Sequence, residues 1–389
     1  MRVLHVIPSV SERSGGPATA IMPMCRALMR EGIEVLLVTT DAGLPGTNGD
    51  CFEYNGDCFE YKGVPARFFH SQWGESFKYS RPLVSWLNAN IRNFGLAHIH
   101  AVFNHSSVAA ARACRDAGVP YVIRPLGTLD PWSMTQKSLR KSLFWQISGK
   151  KMLQRAAAVH YTSEAEKLST ERRMGLNHGK VIALGIETSA TSDNLADHFP
   201  ELAREPYVLV LSRLHPKKGL DVLIDAFQSL ETRFSHWRLV LAGDGPSEYV
   251  SRLKNKVEGD RILFTGWLEG ERKEAVLSGA SLLALPSHQE NFGLCVMEAL
   301  AHSVPVLVSP SVNLATEIAA NNAGWIATID KDALASKLAE ALRDEEELAR
   351  RGRAGKQLSQ KYSWENTAME LVGLYREVLA TKRHKKHKM

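Results

Sequence analysis

The sequence predicts an α/β protein made of two doubly wound units. Short apolar runs alternate with helical patterns over residues 1–186, the pattern of a parallel sheet covered on both faces. A polar segment, "ETSATSDNLADHFPELAREP" (187–206), interrupts the alternation, which restarts at 207. At 389 residues the chain is also too long for one ordinary core.

In the first unit "RVLHVI" (2–7) reads as a buried strand, "ATAIMPMCRALMREG" as a helix ending at Gly32, and "EVLLVTT" (34–40) as the second strand. The runs "LAHIHAV" (96–102), "PYVIRP" (120–125), "AAVHYTS" (157–163) and "KVIALG" (180–185) continue the sheet, with "VAAARACRDAG" (108–118) between the first two. "TSEAEKL" opens a helix, with Ser163 as N-cap and Glu166 three residues on as its capping-box partner. Residues 187–206 read as the connection. In the second unit, 207–362, the strands are "YVLVLS" (207–212), "WRLVLAG" (237–243), "RILFTG" (261–266), "SLLALPS" (281–287) and "PVLVS" (305–309). Helical patterns separate them, and the last is the long run "DALASKLAEALRDEEELARRGR". At 49–61 "GDCFEYN" is followed at once by "GDCFEYK", a copy too short for a repeat architecture that reads as a surface loop or hairpin.

Composition narrows the class. With 44% hydrophobic and 23% charged residues the chain is that of a folded globular protein. No apolar run approaches the ~18–20 residues that span a bilayer. "MRVLHVIPSV" reads as a strand, so no signal peptide is expected, and five cysteines without a C-x-x-C pair fit a reducing cytoplasm. Charge is uneven: residues 1–185 hold 22 Lys+Arg against 14 Asp+Glu, residues 186–381 hold 21 against 28, and the tail 381–389 adds five cations. From Pro131 to Ser163 there is no acid but six cations (137, 140, 141, 150, 151, 155), interleaved with apolar residues such as Leu139, Phe144, Trp145 and Met152. Two readings fit: a peripheral segment on an anionic membrane face, or a domain helix with its apolar side in the core. No nucleic-acid reader motif accompanies the charge.

The chemistry gathers at four strand ends of the second unit, where open α/β sheets bind ligands. "SRLHPKKGL" supplies Arg213, Lys217 and Lys218 before Gly219, cations suited to a phosphate. "LAGDGP" supplies Gly243 and Gly245, which let backbone come close to a ligand. "FTGWL" supplies Gly266, Trp267 and Leu268. "PSHQENFGLCVMEAL" sets Glu290 on a loop and Glu298 in the following helix, with a turn at Phe292-Gly293 and unpaired N–H groups at the helix start. Two carboxylates so divided can each accept from paired hydroxyls, one at either end of an elongated ligand.

These stretches, with "PVLVS" after them, resemble the donor half of the retaining glycosyltransferases of family 4, whose E-x7-E signature matches Glu290 and Glu298. "LHVIPSVSERSGGPATAI" resembles that family's first strand and Gly-Gly loop, and "YSWENTAMELVGLYREVL" its terminal helix (363–380), which packs back on the first domain. The resemblance implies the GT-B fold, two Rossmann-like doubly wound domains facing across a cleft. It implies a nucleoside-diphosphate sugar as substrate, UDP-sugar favoured and GDP-mannose next, with no cofactor and no catalytic metal; a non-catalytic sugar-nucleotide-binding subunit is the alternative reading. The acceptor would be a glycan or lipid-linked saccharide in polysaccharide assembly. Glu290, Arg213 and Lys218 would carry the chemistry, the two cations neutralising the diphosphate. Glu298 would hold the ribose, and Asn291, Phe292, Gly293 and Leu294 would surround the sugar. Trp267 and Leu268 would lie by the base, with Gly243 on the rim. Gly15 and Gly16 would approach the diphosphate.

Two departures stand out. Many members carry a His-Gly at the end of a first-domain strand, where this chain has Leu126-Gly127; His100, His105, Arg124 or Asp130 are the substitutes on the acceptor side. The Pro-Asn-Gly of the family before the connection reads "ALGIE" here. His98 and His100 share a strand face, but no third ligand is evident and no metal is expected. Asp330-x-Asp332 precedes "ALASKLAEAL" and reads as a helix cap.

Overall fold

The computed structural model describes residues 1–44, 58–73, 77–130, 134, 144–187 and 194–387. The chain divides into two compact units, Met1–Gly185 with Trp364–Met389, and Ile186–Ser363.

The first unit is built on β1 (Arg2–Val6), β2 (Glu34–Thr40), β3 (Phe59–Tyr61), β4 (Val64–Phe69), β5 (Leu96–His100), β6 (Tyr121–Arg124), β7 (Ala158–Tyr161) and β8 (Gly179–Val181). They form one sheet in the order β3-β4-β2-β1-β5-β6-β7-β8, parallel except for the β3–β4 hairpin. The second copy of the GDCFEY repeat supplies that hairpin's first strand; the first copy lies outside the described residues. The sequence reading passed over β4 and the helix Arg81–Asn90, whose start is capped by the Ser80 hydroxyl. The helices His105–Ala117 and Glu164–Met174 stop at Gly118 and Gly175, both left-handed, as free-standing helix ends favour.

The two faces of this sheet differ. Leu4, Val6, Ala97, Ile99, Ile123 and Val159 belong to an apolar core. The alternate positions on the same central strands are His5, His98, His100, Arg124 and His160, all buried. A parallel sheet is ordinarily apolar on both sides, so this polar face needs partners. The terminal helix Trp364–His387 supplies one: Tyr375 Oη lies 2.7 Å from His98 Nδ1. That helix also donates from Thr367 Oγ1 to the Ala183 carbonyl at 3.0 Å, and Glu377 pairs with Lys180 at 3.2 Å. A Cβ on Gly185 would lie 2.4 Å from Trp364 N, so only glycine lets the two chain crossings touch.

The second unit carries β9 (Tyr207–Leu211), β10 (Arg238–Ala242), β11 (Ile262–Gly266), β12 (Leu282–Leu285), β13 (Val306–Val308) and β14 (Gly324–Ile326). They form an all-parallel sheet in the order β11-β10-β9-β12-β13-β14. The strand order reverses between β9 and β12, and ligands of such sheets bind beyond the carboxyl ends at that switch point.

Three sequence readings change. The described part of 187–206 is no free connector: the short helix Leu195–His198 belongs to the second unit, where Phe199 and Leu202 are buried. The capping box is only half made. Ser163 Oγ accepts from Glu166 N, but the Glu166 carboxylate accepts instead from Thr162 N at 2.9 Å and Gly127 N at 2.8 Å. The long helical run splits into Lys331–Leu342 and Glu345–Ser359, because Asp344 caps a new helix at Glu347 N. Asp330 does cap its helix, its Oδ1 accepting from the Asp332 and Ala333 amides at 3.0 Å.

The basic stretch resolves in part. Met134, Phe144 and Trp145 pack on the apolar core, and Met152 and Leu153 lie within it, so these residues serve the domain. Lys137, Arg140 and Lys141 lie outside the described residues. Among the described residues no helix is long and apolar enough to cross a membrane.

Candidate active site

The loops after β9 and β12 are stitched together in the second unit. His215 Nδ1 accepts from Lys217 N at 3.1 Å and starts a tight turn, Pro216–Lys218. Gly219 follows at φ +64, where a Cβ would stand 2.4 Å from the Pro286 carbonyl oxygen. Glycine is required twice over there, by conformation and by space. His288 N then donates to Lys217 O at 2.8 Å. The result brings Lys218 onto Glu290: its ammonium donates to Glu290 Oε2, with 12% and 20% of the two side chains exposed.

The backbone of Glu290 is fixed from the other side by the loop after β13. Glu290 N donates to Ser311 O at 3.1 Å and Asn313 N donates to Glu290 O at 3.0 Å. Burial pushes the Glu290 carboxyl up, but Lys218, Lys217 and Arg213 outweigh it and hold it below the usual range. The group is therefore an anion at neutral pH. His215 is held below its ordinary value by burial and the same three cations.

Gly293 at φ +72 turns the chain into the helix Leu294–Ala301, which has no side-chain cap at its start. Glu298 lies on that helix and pairs with Lys273 at 2.9 Å. Lys273 sits on the helix Gly270–Ser278 after β11, and the sequence reading missed it because nothing in "GERKEAVLS" distinguishes it from a solvated lysine. Cys295 stands near both acid–base pairs, and burial pushes its thiol up to about 12, keeping it neutral.

The other donor-side candidates also make contacts within the second unit. Gly243 and Gly245 come close to the protein itself: a Cβ on either would lie 1.8 Å from the Ser212 or Leu214 carbonyl. These glycines let the loops after β9 and β10 pair, with Leu214 N on Asp244 O at 2.8 Å. The Phe292 ring is buried edge-on to Tyr362 at 5.7 Å, and Leu268 is buried too. Trp267 is half-buried, its indole N–H donating to Glu269 at 2.6 Å. Asn291 Oδ1 accepts from Asn313 Nδ2 at 3.5 Å.

In the first unit Gly15 (φ +94) precedes the helix Gly16–Arg30 at the carboxyl side of β1. Of the four acceptor-side candidates, His100 and Arg124 are buried, 0% and 2% exposed, in the cluster under the terminal helix. His105 and Asp130 are half-exposed; the His105 ring lies 4.4 Å from Tyr79 and 5.7 Å from Phe77 between centroids. Where the family's histidine would stand, Leu126 is held at φ +62 and Gly127 at φ +66, pinned by Glu166.

The third imidazole that the sequence reading did not find is His5, set beside His98 by the parallel register of β1 and β5. Ligand nitrogens of His5, His98 and His100 all lie within 4.8 Å of one another. Three neutral imidazoles are potential cation ligands, but both His98 nitrogens are already hydrogen-bonded, and burial together with the Arg124 guanidinium disfavours positive charge there. A hydrogen-bond chain fits instead. His160 Nε2 must donate to the Ile182 carbonyl at 2.8 Å, leaving Nδ1 to accept from His98 Nε2 at 3.3 Å. His98 Nδ1 is then the acceptor of the Tyr375 hydroxyl. Every ring in that chain is neutral.

Two family models match the chain: glycosyl transferases group 1 over residues 193–358, and glycosyl transferase 4-like domain over residues 15–185. A GDP-mannose-dependent alpha-(1-6)-phosphatidylinositol monomannoside mannosyltransferase of Mycobacterium tuberculosis is 29% identical over 188 residues, 45% of this chain and 48% of that protein. A D-inositol 3-phosphate glycosyltransferase of Corynebacterium efficiens is 34% identical over 179 residues, 44% of this chain and 42% of that protein. The chain thus matches about half the length of these curated relatives. Among solved structures, a sucrose-phosphate synthase from Thermosynechococcus elongatus has a TM-score of 0.79 at 21% identity, covering 98% of this chain and 99% of that one. Anabaena HepE in complex with UDP and glucose has a TM-score of 0.78 at 20% identity, covering 97% and 100%. At those identities the likeness is one of fold.

Proposed function

The chain belongs to the GT-B glycosyltransferases of family 4, and we propose that it is a retaining, metal-independent enzyme moving a sugar from a nucleoside diphosphate to a saccharide acceptor. The observation that carries the reading is the meeting of Lys218 and Glu290 across the loops after β9 and β12, at the switch point of the sheet. Breaking the bond between sugar and diphosphate leaves negative charge on the departing phosphate. Arg213 and Lys218 neutralise it, and unpaired N–H groups at the start of Leu294–Ala301 add partial positive charge. Glu290, kept ionised, accepts from hydroxyls of the sugar being moved, and Glu298 accepts from those of the ribose. Gly15 and Gly16, at the start of the first unit's helix, are the proposed further contacts to the diphosphate.

The donor is read as a UDP-sugar. GDP-mannose is the second reading, favoured by the name of the mycobacterial relative. The acceptor is read as a glycan or lipid-linked saccharide, with His105 and Asp130 as its first-unit contacts. Exposed Lys150, Lys151 and Arg155 support an anionic surface near the acceptor, and flotation with anionic vesicles at low and high salt tests that part. For the donor, a thermal-shift screen of nucleotide sugars is decisive, because a ligand that binds only the folded chain raises its midpoint. The productive donor is then followed by NMR of the product anomer. An unchanged midpoint with every nucleotide sugar would reject the reading, and an inverted anomer would reject retention.

A further inference from the structure

Two consecutive residues of one helix grip two residues of the next. On Gly270–Ser278, Lys273 Nζ lies 2.9 Å from Glu298 Oε1, and Glu274 Oε2 lies 3.0 Å from His302 Nε2. Glu298 and His302 are four apart, so both pairs sit on one side of the helix Leu294–Ala301 and its end. The pairs have opposite polarity, which fixes the register of one helix on the other. A staple for two helices needs no more than this.

Lys273 does something Glu274 does not, because its partner is the carboxylate read as the ribose contact. A carboxylate on a flexible side chain can turn either oxygen outward and loses rotational freedom when it binds. An ammonium on Oε1 fixes that rotation and occupies one of its lone pairs. Oε2 and the second lone pair of Oε1 remain as acceptors, two sites that a vicinal diol can fill with two O–H donors. Both side chains are mostly enclosed, 22% and 18% exposed, so the pair is screened less than a surface ion pair.

We infer that Lys273 is a positioning residue that orients Glu298 for the two adjacent hydroxyls of a ribose, and so sets the selectivity for ribo- over 2′-deoxyribo-nucleotides. This rests on the reading of Glu298 as the ribose contact. Lys273 touches no substrate in this scheme and acts through Glu298. Its removal leaves the sugar end of the site, Lys218 with Glu290, as it is.

The test is calorimetric binding of UDP, GDP and their 2′-deoxy forms to the full chain, with donor KM and kcat alongside. Wild type is expected to bind the preferred ribonucleotide at least ~10-fold more tightly than its 2′-deoxy form, the scale of one hydrogen bond to a charged group. K273M should weaken the ribonucleotide about 10-fold and leave the 2′-deoxy form nearly unchanged, so that discrimination collapses. KM should rise while kcat stays within about twofold, and K273R should restore most of the discrimination. E274Q, which opens the neighbouring pair, should lower the melting midpoint with discrimination intact. If E298Q retains discrimination, the ribose reading of Glu298 itself fails. If E298Q abolishes it but K273M does not, Lys273 is a staple only and the inference is wrong. Equal loss in E274Q and K273M would assign the effect to helix seating and overturn it too. Should K273M fail to fold, K273A decides: unchanged discrimination in a stably folded K273A contradicts the inference.

Discussion

Lys218 donates from its ammonium to Glu290, a residue 72 positions further along the chain, and helps keep that carboxyl ionised. Lys218, with Lys217 and Arg213, holds the Glu290 carboxyl below its usual range against the upward push of burial. Removing the lysine should therefore raise the pH at which Glu290 takes a proton. In Lys218→Met the acid limb of the pH–rate profile is expected to move to higher pH, together with a loss of turnover of two or more orders of magnitude, the scale of a transition-state charge contact. An acid limb at the wild-type position would show that Glu290 is not the titrating group.

Gly219 makes that contact possible. Its left-handed backbone and its closeness to Pro286 O leave no room for a Cβ. Gly219→Ala should force the two loops apart, costing about 1–3 kcal/mol of stability and weakening nucleotide binding. Chemical denaturation and calorimetry measure the two losses, and a fully stable variant with unchanged binding would refute the geometry.

The buried histidines give the fold a pH dependence. Burial, with Arg124 beside them, holds His5 and His160 down at about 3, and His98 and His100 also lie well below the ordinary value. Cys25, Tyr375 and Glu166 are the other titratable groups acting on this cluster and on Arg124. Unfolded histidines take protons below pH about 6.5. Between that value and about 3 the unfolded chain binds more protons than the folded one, so stability falls as pH falls. Each histidine contributes a slope of up to ~1.4 kcal/mol per pH unit. Urea midpoints of the first unit's transition should drop steadily from pH 7 to pH 5, and a flat profile would contradict the neutral cluster.

Tyr375 ends the hydrogen-bond chain through His98 and His160 to Ile182 O. Tyr375→Phe keeps the ring and leaves His98 Nδ1 buried without a donor, a loss of about 1–3 kcal/mol. The same melts measure it. Stability equal to wild type would mean that the tyrosine hydroxyl does not bear on the helix seat.

Much of this was legible in sequence because the relevant signals are local. Strand and helix alternation, the Asp330 cap and the Phe292-Gly293 turn depend on neighbours along the chain. What was not legible depends on residues far apart. His5 joins His98 only through the register of two strands, and Lys273 reaches Glu298 only because two helices pack. Gly243 looked like a ligand-facing glycine, yet its missing side chain makes room for Ser212 O. The burial of His100 and Arg124, two of the acceptor-side candidates, was not legible because a strand end does not reveal which helix covers it. Glu166 satisfied a local pattern and used its carboxylate elsewhere, on Gly127 N.

The role proposed for Glu290 is to act on the sugar being moved. It is tested most directly by the rate of nucleoside-diphosphate release from the donor that wild type uses, compared with Glu290→Ala. A fall of several orders of magnitude is expected, with donor affinity changed only a few-fold because the nucleotide contacts remain. A Glu290→Ala enzyme that turns over at the wild-type rate would contradict it.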